Sequence, residues 1–308
     1  MDRAELADPH AAPQAQAPIG AQLVAAEQKV RGLAVLDALV RVLRSGQGAA
    51  RATRHQARRI DLLVALSISD LRARYGRGSW TSLKWLLDPF FATGVYLILV
   101  TFVIDRPGEA PGLSIACATV PFQLVIASVV NGLGSVQLRH SIVLNTRFDR
   151  TLIPLAGVIT ETIAFGSALL LLAVMMAVYG VAPTIAILWL PVVIGVTVLF
   201  SVSIAYPASL IGLWYADLRT FVISAFRTLF FVAPGLVALA QVPEGARQWL
   251  KLNPLTGIFE SYRSVLLYGE SPAPWQLLYP SLFSLVLLAL VIPLYRREQR
   301  QFAKLVEG

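Results

Sequence analysis

The 308-residue chain is 56% hydrophobic and 14% charged, with a mean hydropathy of +0.66. A water-soluble domain of this length carries more charge and shorter apolar runs, so a soluble globular fold is excluded. The net charge of +8 would suit nucleic acid, but its placement along the chain argues for membrane topology instead.

Residues 1–28 are rich in Ala, Pro and Gln, have no periodicity, and read as a disordered tail. The opening "MDRAELADPHAAPQAQAPIG" has acidic residues and no apolar centre, so it is not expected to be a cleaved signal peptide. The amphipathic "KVRGLAVLDALVRVLR" and the basic "RATRHQARR" follow within 29–59, suited to anionic headgroups or to a partner. Residues 1–59 are thus a basic cytoplasmic extension. "IDLLVALSISDLRARYGRG" (60–78) puts Ile60, Val64, Ile68, Leu71 and Tyr75 on one helical face and Asp61, Asp70, Arg72 and Arg74 on the other. Such a helix just before a span is expected to lie in the interfacial plane. Gly76 and Gly78 break it, Trp80 and Trp85 sit at headgroup level, and Pro89 opens the next helix.

Apolar runs long enough to cross a hydrocarbon core of about 30 Å lie near 86–104, 112–136, 152–179, 184–215, 220–242 and 276–295. With the N-terminus cytoplasmic, 21 of the 26 Lys/Arg fall on the inner side. That bias orients the chain with both termini inside. Residues 79–296 form the six-span domain and 297–308 a cytoplasmic tail. The connections "DRPGEAP" (105–111) and "GVAP" (180–183) are tight external turns, leaving no room there for a catalytic domain. The fold class expected is an all-α polytopic membrane protein.

The chain lacks G-x-x-x-x-G-K-[ST], H-E-x-x-H and G-x-S-x-G, and His10, His55 and His140 are scattered. No catalytic, cofactor-binding or metal-ligating residue is expected. Cys117 lies in a span and has no disulfide partner. Glu161 and Arg227 are ionisable groups at comparable depth within two spans. They suit an intramembrane ion pair, a contact of Arg227 with an anionic substrate group, or independent snorkelling. The aromatics Tyr96, Phe102, Phe226, Phe230 and Phe231 suit either sugar stacking along a pore or ordinary packing.

"LNPLTGIFESYRSVLLYG" (252–269) is amphipathic and too charged to span. Asn253 suits the N-cap, Pro254 the first helical position and Gly269 the C-terminal cap, with Pro272 and Pro274 preventing continuation. "PEGARQWLK" (243–251) predicts a second short helix after Pro234-Gly235 weakens span five. Together they predict a re-entrant helical hairpin between spans five and six. Its apolar face of Leu255, Ile258, Phe259, Tyr262, Val265 and Leu266 should pack on the bundle, with Glu260 and Arg263 at the wet external mouth.

"RARYGRGSWTSLKWLLDPF", "NTRFDRTLIPLAGV" (145–158), "WYADLRTF" (214–221), Asn253-Pro254 and Tyr262-Arg263 resemble the permeases of type 2 ABC exporters, in the branch that moves O-antigen, capsule and teichoic acid. The resemblance spans about residues 62–300. It implies a bacterial inner-membrane half-transporter: two copies, two copies of a cytoplasmic ATPase that holds ATP and Mg, and a lipid-linked glycan passed to envelope export proteins. It implies a gate helix carrying Arg72, Arg74, Tyr75 and Arg77. The inner segment 137–151, with Arg139, Ile142, Leu144, Arg147, Phe148 and Arg150, is expected to hold a coupling helix that docks on the ATPase. The rivals are export of a drug or another lipid by the same architecture, a membrane-embedded acyl- or glycosyltransferase, and a non-enzymatic assembly scaffold.

Overall fold

Long apolar stretches punctuated by proline and glycine become helices wherever the computed structural model describes the chain, which is at residues 54–75, 110–139 and 149–299 and at Val95 and Ile98. The chain divides into two units, Met1–Ile60 and Asp61–Gly308. Of the first, only residues 54–60 are described, as the opening turns of α1 (Arg54–Tyr75). The second continues α1 and adds α2 (Pro111–Gly134), α3 (Leu152–Val178), α4 (Leu190–Trp214), α5 (Arg219–Val232), α6 (Glu244–Leu250), α7 (Pro254–Leu266) and α8 (Pro274–Glu298). No strand occurs among the described residues.

Four of the described helices are long and apolar enough to cross a membrane: Pro111–Gly134, Leu152–Val178, Ile185–Trp214 and Pro274–Glu298. These match the expected spans two, three, four and six within three residues of each boundary. The expected first span, 86–104, lies outside the described residues. The expected fifth, 220–242, is not one helix: α5 ends at Val232 after 14 residues. Pro234 offers no N–H to continue it and Gly235 follows, so the chain leaves helical geometry there.

α2 is the hub. Within its most apolar window 72% of residues are buried, against 17% for α8, so α2 is central and α8 peripheral. α2 packs against α3, α4, α7 and α5, while α8 lies along α4 and α7. Leu278, Leu282, Leu285, Val286 and Leu290 leave α8 on its outer side, as expected of a helix facing lipid. With lipid outside there is no hydrophobic gain from helix pairing, so close backbone approach matters more. The α2–α4 crossing has it: a Cβ on Gly212 would lie 1.9 Å from the Leu133 carbonyl oxygen, and one on Gly132 2.7 Å from that of Ala205.

The bundle has two distinguishable ends. At one, the Gly112 N–H donates to Tyr179 Oη at 3.1 Å and the Thr184 hydroxyl to the Gly269 carbonyl at 2.9 Å. At the other, Tyr206 Oη donates to the Thr151 carbonyl at 3.0 Å, and Arg150 donates to the Gln299 carbonyl. At this second end Ser135, Ser209 and Tyr295 also share hydroxyl contacts of 2.8 and 3.3 Å that link α4 and α8 to the turn after α2.

Candidate functional site

A helix of 14 residues is about 21 Å long, short of a hydrocarbon core of about 30 Å. α5 ends at the buried Ala233, Pro234 and Gly235, so each freed backbone group needs a partner inside the protein. The Ala233 N–H donates to the Leu229 carbonyl at 2.8 Å, and the Gly235 N–H to that of Phe230 at 3.1 Å. A side chain at position 235 would meet the Phe230 ring at 2.5 Å, so the reversal requires glycine. Asn253 closes α5 from the other side: its Nδ2 donates to the Leu229 carbonyl at 3.1 Å, while its Oδ1 accepts the Leu255 N–H at 3.1 Å and caps α7.

The Pro234 and Gly235 carbonyls are met by Arg263. Its Nη1 donates to Pro234 at 3.0 Å, its Nη2 to Gly235 at 3.0 Å, and its Nε to the Ser114 carbonyl of α2 at 3.2 Å. Nη1 also donates to Glu260 Oε1 at 2.7 Å, and that oxygen accepts the Leu239 N–H at 3.0 Å. Arg263 is fully buried and Glu260 is 7% exposed. Charge-assisted bonds of this kind are strong where water is excluded, and the carboxylate balances the buried cation. One ion pair on α7 thus holds both ends of the 234–239 segment and joins it to the first turn of α2.

The rest of α7 fits round this knot. Leu255, Ile258, Phe259, Tyr262, Val265 and Leu266 are all buried, as the periodicity predicts. Tyr262 Oη and Thr197 Oγ1 of α4 share a hydrogen bond at 3.2 Å. Gly257 allows the α8 backbone close, with the Gln276 carbonyl 2.9 Å from where its Cβ would be. Gly269 ends the excursion at φ +66°, a left-handed conformation natural to glycine. An apolar groove of about 470 Å³ lies at the start of α7, lined by Phe200 and Ile204 of α4, Phe226 and Leu229 of α5, Trp249 and Phe283.

Several expected site residues stand elsewhere than expected. Glu260 and Arg263 are not at a wet mouth, because the broken α5 needs their bonding capacity inside. Glu161 and Arg227 form no ion pair with each other: Asn131 Nδ2 donates to the buried Glu161, and Arg227 is exposed on α5. Phe230 does not line an open path but sits in the core, with ring centroids 4.8 Å from Phe122 and 5.8 Å from Phe259. Its neighbour Phe231 is 55% exposed. Arg139 is buried and paired with Asp70 of α1, so its guanidinium is turned into the bundle and not towards a docking partner. Ser67, on the same side of α1 as Asp70, is buried and donates to the Ala156 carbonyl of α3 at 3.3 Å. The face of α1 expected to be wet therefore meets protein.

Ile142, Leu144, Arg147 and Phe148 of the expected coupling segment lie outside the described residues, as do Arg77, Tyr96 and Phe102. Arg72, Arg74 and Tyr75 lie on the last turn of α1. Sequence reasoning missed Asp70, Ser114, Asn131 and Leu239 as partners. Only Asn131 left a signal, as a lone amide within "IASVVNGLG". A backbone carbonyl such as that of Ser114 leaves none. Among the described residues no group of three His, Cys, Asp or Glu is placed to hold a metal ion.

No protein-family model matches the chain. Among curated proteins it is 26% identical over 248 residues to an O-antigen export system permease protein RfbA of Klebsiella pneumoniae, covering 80% of this chain and 95% of that protein. It is 27% identical over 246 residues to the protein of the same name from Myxococcus xanthus, covering 79% and 94%. A second such Klebsiella protein is 27% identical over 213 residues, covering 68% of this chain and 81% of its own. The apolar helices, the residues quoted for the resemblance and the reach of these alignments converge: over about four fifths of its length the chain is similar to permease proteins of O-antigen export systems.

Proposed function

We propose that the chain is the permease subunit of an ATP-driven exporter that carries a lipid-linked polysaccharide, of O-antigen, capsular or similar type, across the inner membrane. The observation that carries this reading is alignment to 95% and 94% of the length of two O-antigen export permeases. In this reading the chain crosses six times, α5 enters from the cytoplasm, and α6 and α7 return as the re-entrant hairpin near the outer surface. Basic Arg139, Arg150, Arg219, Arg296 and Arg297 gather at the end opposite Thr184 and Gly269, which supports cytoplasmic termini.

Two copies enclose the path. A separate ATPase holds ATP and Mg, so this chain moves its substrate without breaking a bond. The ATPase is met by the 140–148 segment, with Ile142, Leu144, Arg147 and Phe148, and the lipid anchor enters beneath α1. The test is reconstitution of the permease with its ATPase in proteoliposomes. A lipid-linked glycan should raise ATP hydrolysis several-fold and become protected from external glycosidase. Stimulation by another lipid or a drug and not by glycan would reassign the cargo. Failure to bind any ATPase would remove the transporter reading.

A further inference from the structure

We propose that Arg263, held by Glu260, is the positioning residue of an outer seal. It fastens the unwound 234–239 segment across the end of the bundle, and its loss lets that segment open while the remaining fold stands. The fastening stands on the geometry alone; its role as a seal rests on the export function proposed above.

A brace for stability could be apolar. Replacing a buried ion pair with apolar groups of similar size is often neutral for stability. Apolar groups cannot bond the Pro234 and Gly235 carbonyls, which the end of α5 leaves without helical partners. Arg263 reaches acceptors on three pieces of chain: the 234–235 reversal, the first turn of α2 and its own helix. A planar fork suits that spread, and the compact ammonium of lysine does not. Glu260 ties the far end of the same segment through the Leu239 N–H. Cutting one ion pair therefore releases both ends together. Both ends of the segment are buried, at Pro234 and Gly235 and again at Ala238 (4% exposed) and Leu239 (7%), while residues 243–246 just beyond it are exposed. It separates the packed interior from the exposed rim.

The experiment uses the full permease–ATPase complex on a Cys117→Ala background, with an impermeant maleimide added outside. The reporter is Ala238→Cys, and the control is Ala168→Cys, buried in α3 far along the chain. With Arg263 and Glu260 present both should label slowly. In Glu260→Met/Arg263→Met, where no buried charge is stranded, labelling at 238 should rise at least tenfold and stay unchanged at 168. Export should fall about tenfold while ATP hydrolysis continues. Arg263→Lys should fall between. Protection of position 238 in the double variant would overturn the proposal, and so would equal rises at 238 and 168, which report general loosening. A rise at 238 with export unchanged would overturn the role as a seal. If the parent complex exports no glycan, the export reading fails and the labelling comparison still decides the fastening.

Discussion

One amide, that of Asn253, closes two helix ends at once, capping α7 through its oxygen and the last turn of α5 through its nitrogen. Loss of an N-cap costs about 1 kcal/mol, and loss of a second net hydrogen bond about 0.5–1.5 kcal/mol more. Asn253→Ala should therefore destabilise the permease more than Asn253→Ser, which keeps an acceptor for Leu255 but cannot reach Leu229 as a donor. Thermal unfolding in detergent should rank wild type above Ser above Ala; equal Ser and Ala midpoints would deny the capping role. Adjacent residues on α5 give a second comparison. Phe230 is 1% exposed within the aromatic cluster and Phe231 is 55% exposed. In a Cys117→Ala background, Phe231→Cys should react with a small thiol reagent and Phe230→Cys should not. Removing the buried Phe230 ring should also cost about 3–5 kcal/mol, whereas Phe231→Cys should leave the unfolding midpoint nearly unchanged.

Between elements, the tightest approach is α2 against α4. Because a Cβ at 212 would lie 1.9 Å from the Leu133 carbonyl oxygen, Gly212→Ala must push the helices apart. It should cost at least the 1–3 kcal/mol typical of overpacking. Gly166→Ala, with nothing within 4 Å of the new methyl, should be close to neutral in the same denaturation series. The Asp70–Arg139 pair fixes α1 to the turn after α2. Charge exchange between those positions should restore part of the stability lost in either single variant, and strict additivity in that cycle would mean the pair contributes nothing. Periodicity and caps made most elements legible. Apolar length gave spans two, three, four and six, and Asn253-Pro254 marked the start of α7. Polarity misled where polar groups serve the interior. Arg263, Glu260, Arg139 and Asp70 look wet by composition, yet each is drawn inward by a partner distant in sequence or by a break in a helix that hydropathy alone does not register. The hydropathy of 220–242 predicts a span, because a profile sums side chains and is blind to the missing N–H of Pro234.

For the whole molecule, the assembly reading makes its own demand. Arg147 belongs to the segment proposed to meet the ATPase, whereas Arg150 donates to the Gln299 carbonyl and helps hold the end of α8. Arg147→Glu should reduce co-purification of the ATPase with insertion and unfolding temperature unchanged; Arg150→Glu should lower the unfolding temperature as well. Intact co-purification with Arg147→Glu would move the contact elsewhere. The bond from Arg263 to Ser114 also has a bearing on manufacture. Its ends are 149 residues apart, and at about 5–20 residues per second the ribosome takes roughly 7–30 s to travel between them. For all that time α2, the helix destined for the centre, waits in lipid with its α7 contact surface uncovered. Its strong hydropathy is what lets it wait. A chain stalled after α5 would present an unwound, carbonyl-bearing end with no guanidinium to meet it, a feature by which membrane quality control could tell an unfinished permease from a finished one.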